Sequence, residues 1–577
     1  MKKYRRPSFE SVRIVLRHMM TGSQNRRTGL LIVVLTFIGF GRSPLEAQET
    51  NIAGVIKDTS AQPMAGVLVR VRSEELGLSF TVVSQKQGRY ATPNLLPGRY
   101  IVQGFSVDHQ SEPMGPLAVR GGQHGQMDLT LNVPLKLPPP HQRMNDADFA
   151  IFMPEGKGKG LVESRCTICH TLQRVVSARK TPQEWQKTVN EMRYKFHGKE
   201  MPLNHATSEV ELIQLDTMAD YLGKTFALGV PVDPRVLDQG PESGGLRHPN
   251  RNLLGGFFKR PTAYVAMEYS LLPNSMPQDI AVDSEGTAWV SEANTGMLGR
   301  FDPNSLTYTR ISPSRAKNPK VQMNSIAVDS QDHLWFVDEG TNASLVEFKP
   351  KTGEFNSYSL PQYLYPIPPY SSPARLAALR FLQGNIWATG PAANWIVKLE
   401  PKTGKTTEYP VAHGSSPYGL AIGGDHRIWF AAEIGNFIGR LDPTTGAIIR
   451  YDVPTARSLL RGMVADAEGN LWVAATESGK LLKVDFQNGT LKEFDPPTHD
   501  SGPYSVDVDT KRNLIWFSEL YADKIARFDP KTNIFVEFPA PSADLGVRRV
   551  EVDRRNPNRV WWSGGQSGKI GYIEVIE

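Results

Sequence analysis

Apolar and polar residues alternate with a period of two along most of the chain, a pattern typical of half-buried β-strands. Between residues 50 and 135 the alternating segments are short and are separated by glycine, proline and polar turn residues. This pattern predicts a small β-sandwich. The predicted strands are Ile52–Ile56, Gly66–Val71, Phe80–Val83, Arg99–Val102 and Met127–Leu131.

The same region resembles carboxypeptidase regulatory-like domains. The resemblance implies a seven-stranded accessory module without catalysis. Because acidic, histidine and cysteine residues do not cluster here, we expect the region to act as a spacer or docking module. The matching segments are Gly54-Val-Ile-Lys-Asp58, Pro63, Gly66-Val-Leu-Val69, Gly88-Arg-Tyr90 and Leu95-Leu-Pro-Gly-Arg-Tyr100.

Residues 146–226 change to the period of helices and predict a small all-α domain. Thr181 followed by Pro182 and Glu184 is a capping box with its proline at the first helical position, which predicts a helix start. Proline-rich residues 136–145 before this domain, and residues 227–262 after it, are predicted linkers.

Both cysteines of the chain, Cys166 and Cys169, lie in this helical region and are followed directly by His170. C-x-x-C-H is the attachment signature of c-type haem: the thiols form thioethers and the imidazole binds the iron. A dithiol redox site is the alternative, but it does not need the histidine and normally accompanies a βαβ pattern. We therefore predict one covalent haem c as the cofactor, with His170 as the proximal iron ligand.

The order of the helices around the motif resembles class I cytochromes c, and is similar to the small cytochrome c domains attached to periplasmic oxidoreductases. In those domains a Trp–Met helix precedes the last helix, and Trp185 and Met192 match it. Met192 is therefore the first choice for the distal iron ligand. Met201 is the alternative, followed by His197 or His205. Two protein ligands saturate the iron, which favours electron transfer over dioxygen binding.

Residues 263–577 contain seven repeats, each with a tryptophan at an equivalent position and four short predicted strands. Seven units of about 45 residues predict a seven-bladed β-propeller. The last unit lacks an outer strand, whereas Tyr264–Leu271 has the pattern of an outer strand without a blade. We therefore predict that this strand completes the last blade and leaves no open sheet edge. The tryptophans, assigned to the blade cores, are Trp289, Trp335, Trp387, Trp429, Trp472, Trp516 and Trp561.

Residues 264–577 resemble the virginiamycin B (streptogramin) lyase family, most clearly in Trp429-Phe-Ala-Ala-Glu433 and Arg440-Leu-Asp-Pro443. This resemblance implies ring opening of a cyclic depsipeptide by elimination, with Mg²⁺ and a general-base histidine from a Glu-Pro-His triplet. The triplet is missing, which removes the base and one metal ligand, so Mg²⁺ is expected only if the lyase activity is present. The corresponding triplets are Met276-Pro-Gln278, Ser416-Pro-Tyr418, Leu459-Leu-Arg461 and Gly502-Pro-Tyr504.

The repeat also predicts a polar ring at one mouth of the propeller channel, where propellers bind ligands. A polar ring with aromatic residues suits a polar small molecule or a peptide. The alternative is a solvated funnel in which these residues pair with one another. The ring residues are Gln278, Asn324, Tyr418, Arg461, Tyr504 and Arg548, joined by the glutamates that close tryptophan strands, Glu292, Glu433 and Glu519.

The N-terminus has the order of a signal peptide over residues 1–48: a basic segment, the apolar run Leu30–Phe40 and the small residue Ala47. The run is short for a hydrocarbon core of about 30 Å. An uncleaved anchor is the alternative. We expect an exported, periplasmic protein without a stable transmembrane span after cleavage.

The composition of the chain agrees with the fold class that the sequence pattern predicts. The chain has 577 residues, of which 40% are hydrophobic and 21% charged, as in ordinary globular proteins. A net charge of +6, partly due to the N-terminal segment, does not favour nucleic acid as a partner. The predicted fold class is multidomain and mainly β: a β-sandwich, a small all-α cytochrome c domain and a seven-bladed propeller.

Three functions follow from these features. The preferred one is electron transfer, in which the haem exchanges electrons with a redox partner protein or a small-molecule electron donor. The second is a virginiamycin B lyase-like carbon–oxygen lyase with an accessory haem domain. The third is a ligand-sensing or docking propeller without catalysis. If the protein is an enzyme, a haem-linked periplasmic oxidoreductase is favoured over a lyase.

Overall fold

A computed structural model describes most of the chain beyond the N-terminal segment. The prediction of a signal peptide lies outside the described residues, as does most of both predicted linkers. No helix in the described part is long and apolar enough to cross a membrane. The described residues are 50–136, 150–166, 172–197, 209–231, 250–253, 262–313, 323–338, 344–360, 376–391, 393–412, 414–565 and 567–576.

The N-terminal domain is built of short strands in two sheets, as the alternating pattern predicts. The strands are β1 (Asn51–Lys57), β2 (Leu68–Ser73), β3 (Leu78–Val83), β4 (Arg89–Ala91), β5 (Gly98–Phe105), β6 (His109–Gln110), β7 (Met114–Val119), β8 (His124–Gln126), β9 (Leu129–Thr130) and β10 (Val133–Pro134). In the first sheet β1 pairs with β4 and, in parallel, with β8 and β9. The second sheet has the order β10-β6-β5-β2-β3, and β7 pairs with β5. The predicted strand Met127–Leu131 is present only at Leu129–Thr130.

The region between the two β domains contains four described helices, as the change of period predicts. The capping box is present: the Glu184 amide donates to Thr181 Oγ1 (3.2 Å), and the Thr181 amide donates to a Glu184 carboxylate oxygen (2.8 Å). Apolar residues from the helices form one buried cluster that includes Val162, Trp185 and Leu222. The helices are α1 (Lys159–Cys166), α2 (Leu172–Ser177), α3 (Pro182–His197) and α4 (Glu209–Thr225).

The C-terminal region is a propeller in which six blades are separate four-stranded antiparallel sheets. Their strands are β12 (Pro277–Val282), β13 (Ala288–Glu292), β14 (Met297–Asp302), β15 (Thr307–Ile311), β16 (Met323–Val328), β17 (Leu334–Asp338), β18 (Ser344–Lys349), β19 (Glu354–Ser359), β20 (Leu379–Leu382), β21 (Asn385–Gly390), β22 (Trp395–Glu400), β23 (Lys405–Pro410), β24 (Pro417–Ile422), β25 (Ile428–Ala432), β26 (Phe437–Leu441), β27 (Ile448–Asp452), β28 (Leu460–Ala465), β29 (Leu471–Ala475), β30 (Lys480–Val484), β31 (Leu491–Phe494), β32 (Pro503–Asp509), β33 (Leu514–Glu519), β34 (Lys524–Asp529) and β35 (Ile534–Pro539). The repeat tryptophans are buried in these blades and in the seventh, as predicted.

The seventh blade is completed by the first strand of the propeller region. The strand β11 (Tyr264–Ser270) pairs antiparallel with β38 (Lys569–Val575), which continues to β37 (Arg559–Gly564) and β36 (Val547–Val552). All seven residues of β11 take part in this pairing. The predicted ring closure is therefore confirmed.

The other edge of β11 pairs with β3 of the N-terminal domain, from Val265 with Val82 to Tyr269 with Leu78. One ten-stranded sheet thus joins the sandwich to the seventh blade. Met267 packs in a buried cluster on one face, and Ala266 packs in a second cluster on the other; both clusters contain residues of both domains. The sandwich is therefore part of the same folded body as the propeller, which the expectation of a separate spacer or docking module did not include.

Residues that precede and follow the helical region in sequence lie close together in the structure. The side-chain amide of Asn250 donates to the backbone carbonyl of Lys136 at 3.2 Å. Asn252 and Leu253 follow in a short 3₁₀ turn, and both are buried. Asn252 donates to the carbonyl of Ala540, and Leu253 packs in the second of the two clusters. The predicted linker over residues 227–262 therefore contains a turn that is docked on the propeller.

Candidate functional site

The six predicted ring residues occupy one shared position in the fold. Each is the second residue of an inner blade strand: Gln278 in β12, Asn324 in β16, Tyr418 in β24, Arg461 in β28, Tyr504 in β32 and Arg548 in β36. In all six strands the pairing with the tryptophan strand shifts register at this point, which marks a β-bulge. A β-bulge interrupts the alternation of side chains between the two faces of a strand, so two consecutive side chains can point to the same face.

Four of the predicted residues form what we call the mouth cluster: Tyr418, Glu433, Arg461 and Tyr504. The two tyrosine hydroxyls are 2.9 Å apart. The Arg461 guanidinium carbon lies 4.6 Å from the ring centre of Tyr418 and 5.2 Å from that of Tyr504. Its Nη2 forms an ion pair of 2.6 Å with Glu433 Oε1. The pairing among ring residues, considered as the alternative to ligand binding, is therefore present at this point of the ring.

The two tyrosines of the mouth cluster differ in acidity. Burial raises the pKa of Tyr418 well above its ordinary value. Burial acts in the same direction on Tyr504, but the positive charges of Arg461 and Arg548 and the hydrogen bond from Tyr418 hold the pKa of Tyr504 below its ordinary value. The two hydroxyls that face each other therefore have pKa values shifted in opposite directions.

Glu292 and Glu519 do not join the mouth cluster, contrary to the expectation that they converge with Glu433. Both are fully buried inside their own blades. Glu292 accepts hydrogen bonds from Tyr308 Oη (2.7 Å) and Arg310 Nε (2.8 Å). Burial, together with the neighbouring Glu537, raises the pKa of Glu519 well above its ordinary value.

Glu433 differs from Glu292 and Glu519 because its position in the tryptophan strand is shifted by one residue. Glu292 and Glu519 end their strands and pair in register with Pro277 and Pro503, whereas Ala432 holds that register position in its blade. Glu433 follows one residue later. Because side chains alternate between the two faces of a strand, such a shift moves a side chain to the other face.

Below the ring lies a small cavity of about 50 Å³, which we call the channel cavity. The residues that follow the ring positions contribute to its wall, among them Asp279 and Arg549, and so does Arg380 from β20. Arg380 donates to the backbone carbonyls of Leu379 (2.8 Å) and, in another blade, Met463 (2.9 Å). Asp279 and Arg549 were missed from the sequence because only the bulge brings the third strand position into the channel. Arg380 was missed for a different reason, since it is the second residue of a strand without a register shift.

The charges of the channel are strongly buried. Arg549 pairs with Asp279 (3.4 Å) and with Glu551 (2.5 Å). Burial raises the pKa of Asp279 to about 6, although Arg549 opposes the shift. Burial and the charge of Glu551 raise the pKa of Asp507 to about 6, and Arg549 again opposes the shift. Burial also lowers the pKa of Arg380 to about 10.

These raised values predict a pH dependence of stability. Between about pH 4 and pH 6 the two aspartates bind protons in the folded state but not in the unfolded state, so their contribution to stability is lost as the pH rises through about 6. We expect the stability of the wild type relative to Asp279→Asn/Asp507→Asn to fall over this range, measured by urea unfolding. Asp452→Asn, at an exposed position, is the matched control and should show no such trend. A relative stability that rises with pH would contradict the assignment.

The haem-motif residues are only partly within the described residues. Cys166 ends α1 and packs against the apolar cluster of the helices. Burial raises the pKa of this thiol to about 11, which does not favour a reactive dithiol. Cys169, His170, Met201 and His205 lie outside the described residues. Met192 and His197 lie in α3, but their side chains are outside the description, so the distal ligand remains a prediction.

One group of potential metal ligands lies away from the mouth: Asp329, His333 and Glu347, whose ligand atoms are within 4.8 Å of one another. His333 Nδ1 is 2.8 Å from Glu347 Oε1, and Asp329 accepts a hydrogen bond from the indole of Trp335 (3.0 Å). The same aspartate–indole bond occurs in other blades, for example between Asp466 and Trp472 (2.8 Å). We therefore assign this group to the packing of its blade.

The fold defines the C-terminal region as a closed propeller with a polar channel mouth, and comparisons with known proteins agree. The model of the virginiamycin B lyase family matches residues 363–577. The model of the carboxypeptidase regulatory-like domain matches residues 51–132. The chain thus contains a virginiamycin B lyase-like propeller domain and a carboxypeptidase regulatory-like domain. No curated protein matches the chain.

Several solved structures are similar to about half of the chain. Virginiamycin B lyase from Staphylococcus aureus is 23% identical, with 54% of this chain and 98% of that chain covered and a TM-score of 0.47. A streptogramin B lyase structure is 25% identical, covering 54% and 97%, also with a TM-score of 0.47. Hydrazine synthase from Kuenenia stuttgartiensis is 12% identical, covering 53% and 97%, with a TM-score of 0.44.

Proposed function

We propose that this chain is an exported monohaem c-type cytochrome fused to a ligand-binding propeller, and that it acts in electron transfer. The observation that carries the proposal is the C-x-x-C-H sequence Cys166-Thr-Ile-Cys169-His170, which holds the only two cysteines of the chain behind a predicted export signal. This donor set is the one that binds haem c covalently and supplies its proximal ligand.

The surroundings of the first cysteine support this assignment. Cys166 lies at the end of the helix α1. It packs against the apolar cluster formed by the helices, and a porphyrin needs an apolar environment of this kind. When bound, the haem supplies reversible one-electron chemistry. Cys166 and Cys169 would hold it, and His170 with Met192 would be the axial ligands.

The lyase is the second candidate function, and the family match over residues 363–577 favours it. Two features of the mouth do not suit a Mg²⁺-dependent elimination. The positions that would supply the general base carry Gln278, Tyr418, Arg461 and Tyr504 instead of histidine. The carboxylate of Glu433 is paired with Arg461 at 2.6 Å, so a cation would compete with a guanidinium for it.

The test is to express the full chain together with a c-type maturation system and to examine the mature protein. We expect one haem per chain that remains attached after denaturation, seen as a mass increase on the peptide with both cysteines, and haem bands that change on reduction. Both thiols free, or joined to each other, would contradict the proposal. Magnesium-dependent ring opening of a streptogramin B substrate, lost in Glu433→Gln, would support the lyase instead.

A further inference from the structure

The sixth blade contains a lysine that is fully buried inside the sheet. Lys524 begins β34, and Glu537 of β35 is buried beside it. Lys524 Nζ lies 2.7 Å from Glu537 Oε2. A second buried carboxyl group, that of Glu519, ends β33, and Glu519 is the register partner of Lys524. Two carboxyl groups and one amino group therefore share a site that is closed to solvent.

Glu519 is the acidic partner in this group. Burial and the neighbouring Glu537 raise the pKa of Glu519 well above its ordinary value, and the charge of Lys524 opposes the shift without cancelling it. Glu519 therefore keeps its proton at pH values at which an exposed glutamate has lost it. A protonated carboxyl group beside Glu537 can act as a general acid towards it.

Thr498, in the loop that enters the sixth blade, makes the two oxygens of Glu537 different from each other. Its backbone amide donates to Glu537 Oε1 at 2.7 Å, as the donor of an oxyanion site would. Its hydroxyl donates to Oε2 at 2.7 Å and accepts from Lys524 Nζ at 2.6 Å. The amino group is thus held against Oε2, while Oε1 is fixed on a main-chain donor.

The neighbouring blades carry the lysine–glutamate pair without the second carboxyl group. The corresponding pairs are Lys480–Glu493 in the fifth blade (3.7 Å) and Lys569–Glu268 in the seventh (2.6 Å). The register partners of these two lysines are Ala475 and Gly564 instead of a glutamate. Their side chains are 22% and 26% exposed, whereas that of Lys524 is not exposed at all. Full burial and the added acid therefore distinguish the sixth blade.

We infer that Lys524 and Glu537 condense to an isopeptide bond, with Glu519 as the acid that assists the reaction. Lys524 Nζ attacks Glu537 Cδ, a C–N bond forms, and the bond from Cδ to Oε2 breaks. The ammonium group gives up two protons, which leave with Oε2 as one water molecule. Glu519 relays one of these protons and is restored. No oxidant, reductant or other reactant is needed.

Burial favours this product over the ion pair. Two charges inside a protein lose their hydration, and their mutual attraction does not always repay that loss. An amide bond has no net charge and removes both charges from the interior. Close contact of the two groups in a fixed orientation also removes much of the entropic barrier to the reaction. The bond would join β34 to β35 covalently, and it is independent of the haem.

The test is mass spectrometry of the purified full chain, intact and after digestion with trypsin. We expect the chain to be lighter than its sequence and haem require by the mass of one water molecule. Trypsin cannot cleave after a lysine in an isopeptide bond, so residues 513–527 should stay joined to residues 532–548 in one branched fragment. The haem-binding cysteines lie on another peptide, so failure of the haem proposal is a separate result.

Variants test the roles of the three side chains. Lys524→Arg keeps the positive charge but has no primary amine, and Glu519→Gln keeps the size of the side chain but has no acidic proton. Both should lack the branched fragment. Lys480→Arg, at the equivalent position of the fifth blade, is the matched control and should retain it. A wild type that yields no branched fragment would overturn the inference, whether or not the variants fold. A branched fragment that persists in Glu519→Gln would overturn the role of Glu519.

Discussion

A chain that carries Cys166→Ala and Cys169→Ala is expected to contain no covalently attached haem, whereas the wild type should contain one per chain. The reason is chemical: each thioether needs one of these sulfurs, and the chain has no other cysteine. The measurement is the haem content of the denatured protein, by mass spectrometry and by the absorption of the reduced haem. Among the proposed changes to the chain, this one has the largest expected effect.

A matched control lies inside the motif. Thr167→Ala changes the residue between the two cysteines but leaves both sulfurs and His170 in place, so haem attachment should persist. Met192→Ala and Met201→Ala address the distal ligand: attachment should survive in both, but only Met192→Ala should change the axial-ligand absorption. Haem that stays covalently attached in the double cysteine variant would refute the assignment, and a changed spectrum in Met201→Ala alone would make Met201 the ligand.

Met267→Asp is expected to destabilise the sandwich and the propeller together. Met267 is fully buried on β11, where its register partners are Phe80 of the sandwich and Tyr572 of the last blade. An unpaired charge buried at this position lowers the free energy of unfolding by several kcal/mol. This is a large part of the total free energy of unfolding, which is about 5–15 kcal/mol for most proteins. The measurement is urea unfolding followed by tryptophan fluorescence, with protease resistance of the N-terminal domain as a second probe.

Two comparison variants separate burial from a general effect of substitution. Met267→Leu preserves volume and should cost less than about 1.5 kcal/mol. Ile534→Asp introduces the same charge at a position that is 49% exposed on the outer strand β35, and should change stability by no more than about 0.5 kcal/mol. An N-terminal domain that resists protease normally while the propeller of Met267→Asp unfolds would show that the two do not fold as one body.

The propeller could be predicted from the sequence because each blade must bury a tryptophan, and this requirement repeats along the chain. Ring closure followed from an outer strand at Tyr264 and a missing one at the C-terminus. The pairing of β11 with β3 could not be predicted in the same way. Main-chain hydrogen bonds between strands far apart in sequence leave no periodic signal in either strand, and β3 reads as an ordinary sandwich strand.

The sequence predicted those residues of the candidate site that occupy the same position in each repeat. Tyr418, Arg461 and Tyr504 share one offset within their repeats, and the structure brings them together. Glu292 was wrongly predicted to lie with Glu433 in the channel mouth. Its position is shifted by one residue relative to Glu433, and this shift places its side chain on the opposite face of the strand. Arg380 was missed because its blade has a longer spacing to the preceding tryptophan and shows no register shift in its inner strand pair. The assignments of Cys169, His170 and Met192 remain predictions from the sequence.

The hydrogen bond between Asn250 and Lys136 closes the segment between them into a loop whose two ends meet on the shared sheet. A single backbone cut anywhere from residue 137 to residue 249 would produce two fragments, yet neither would be released from the other. The β3–β11 ladder and the two mixed apolar clusters would keep them together as one nicked particle. Two separately produced fragments divided within this loop would, for the same reason, have a surface through which to reassemble.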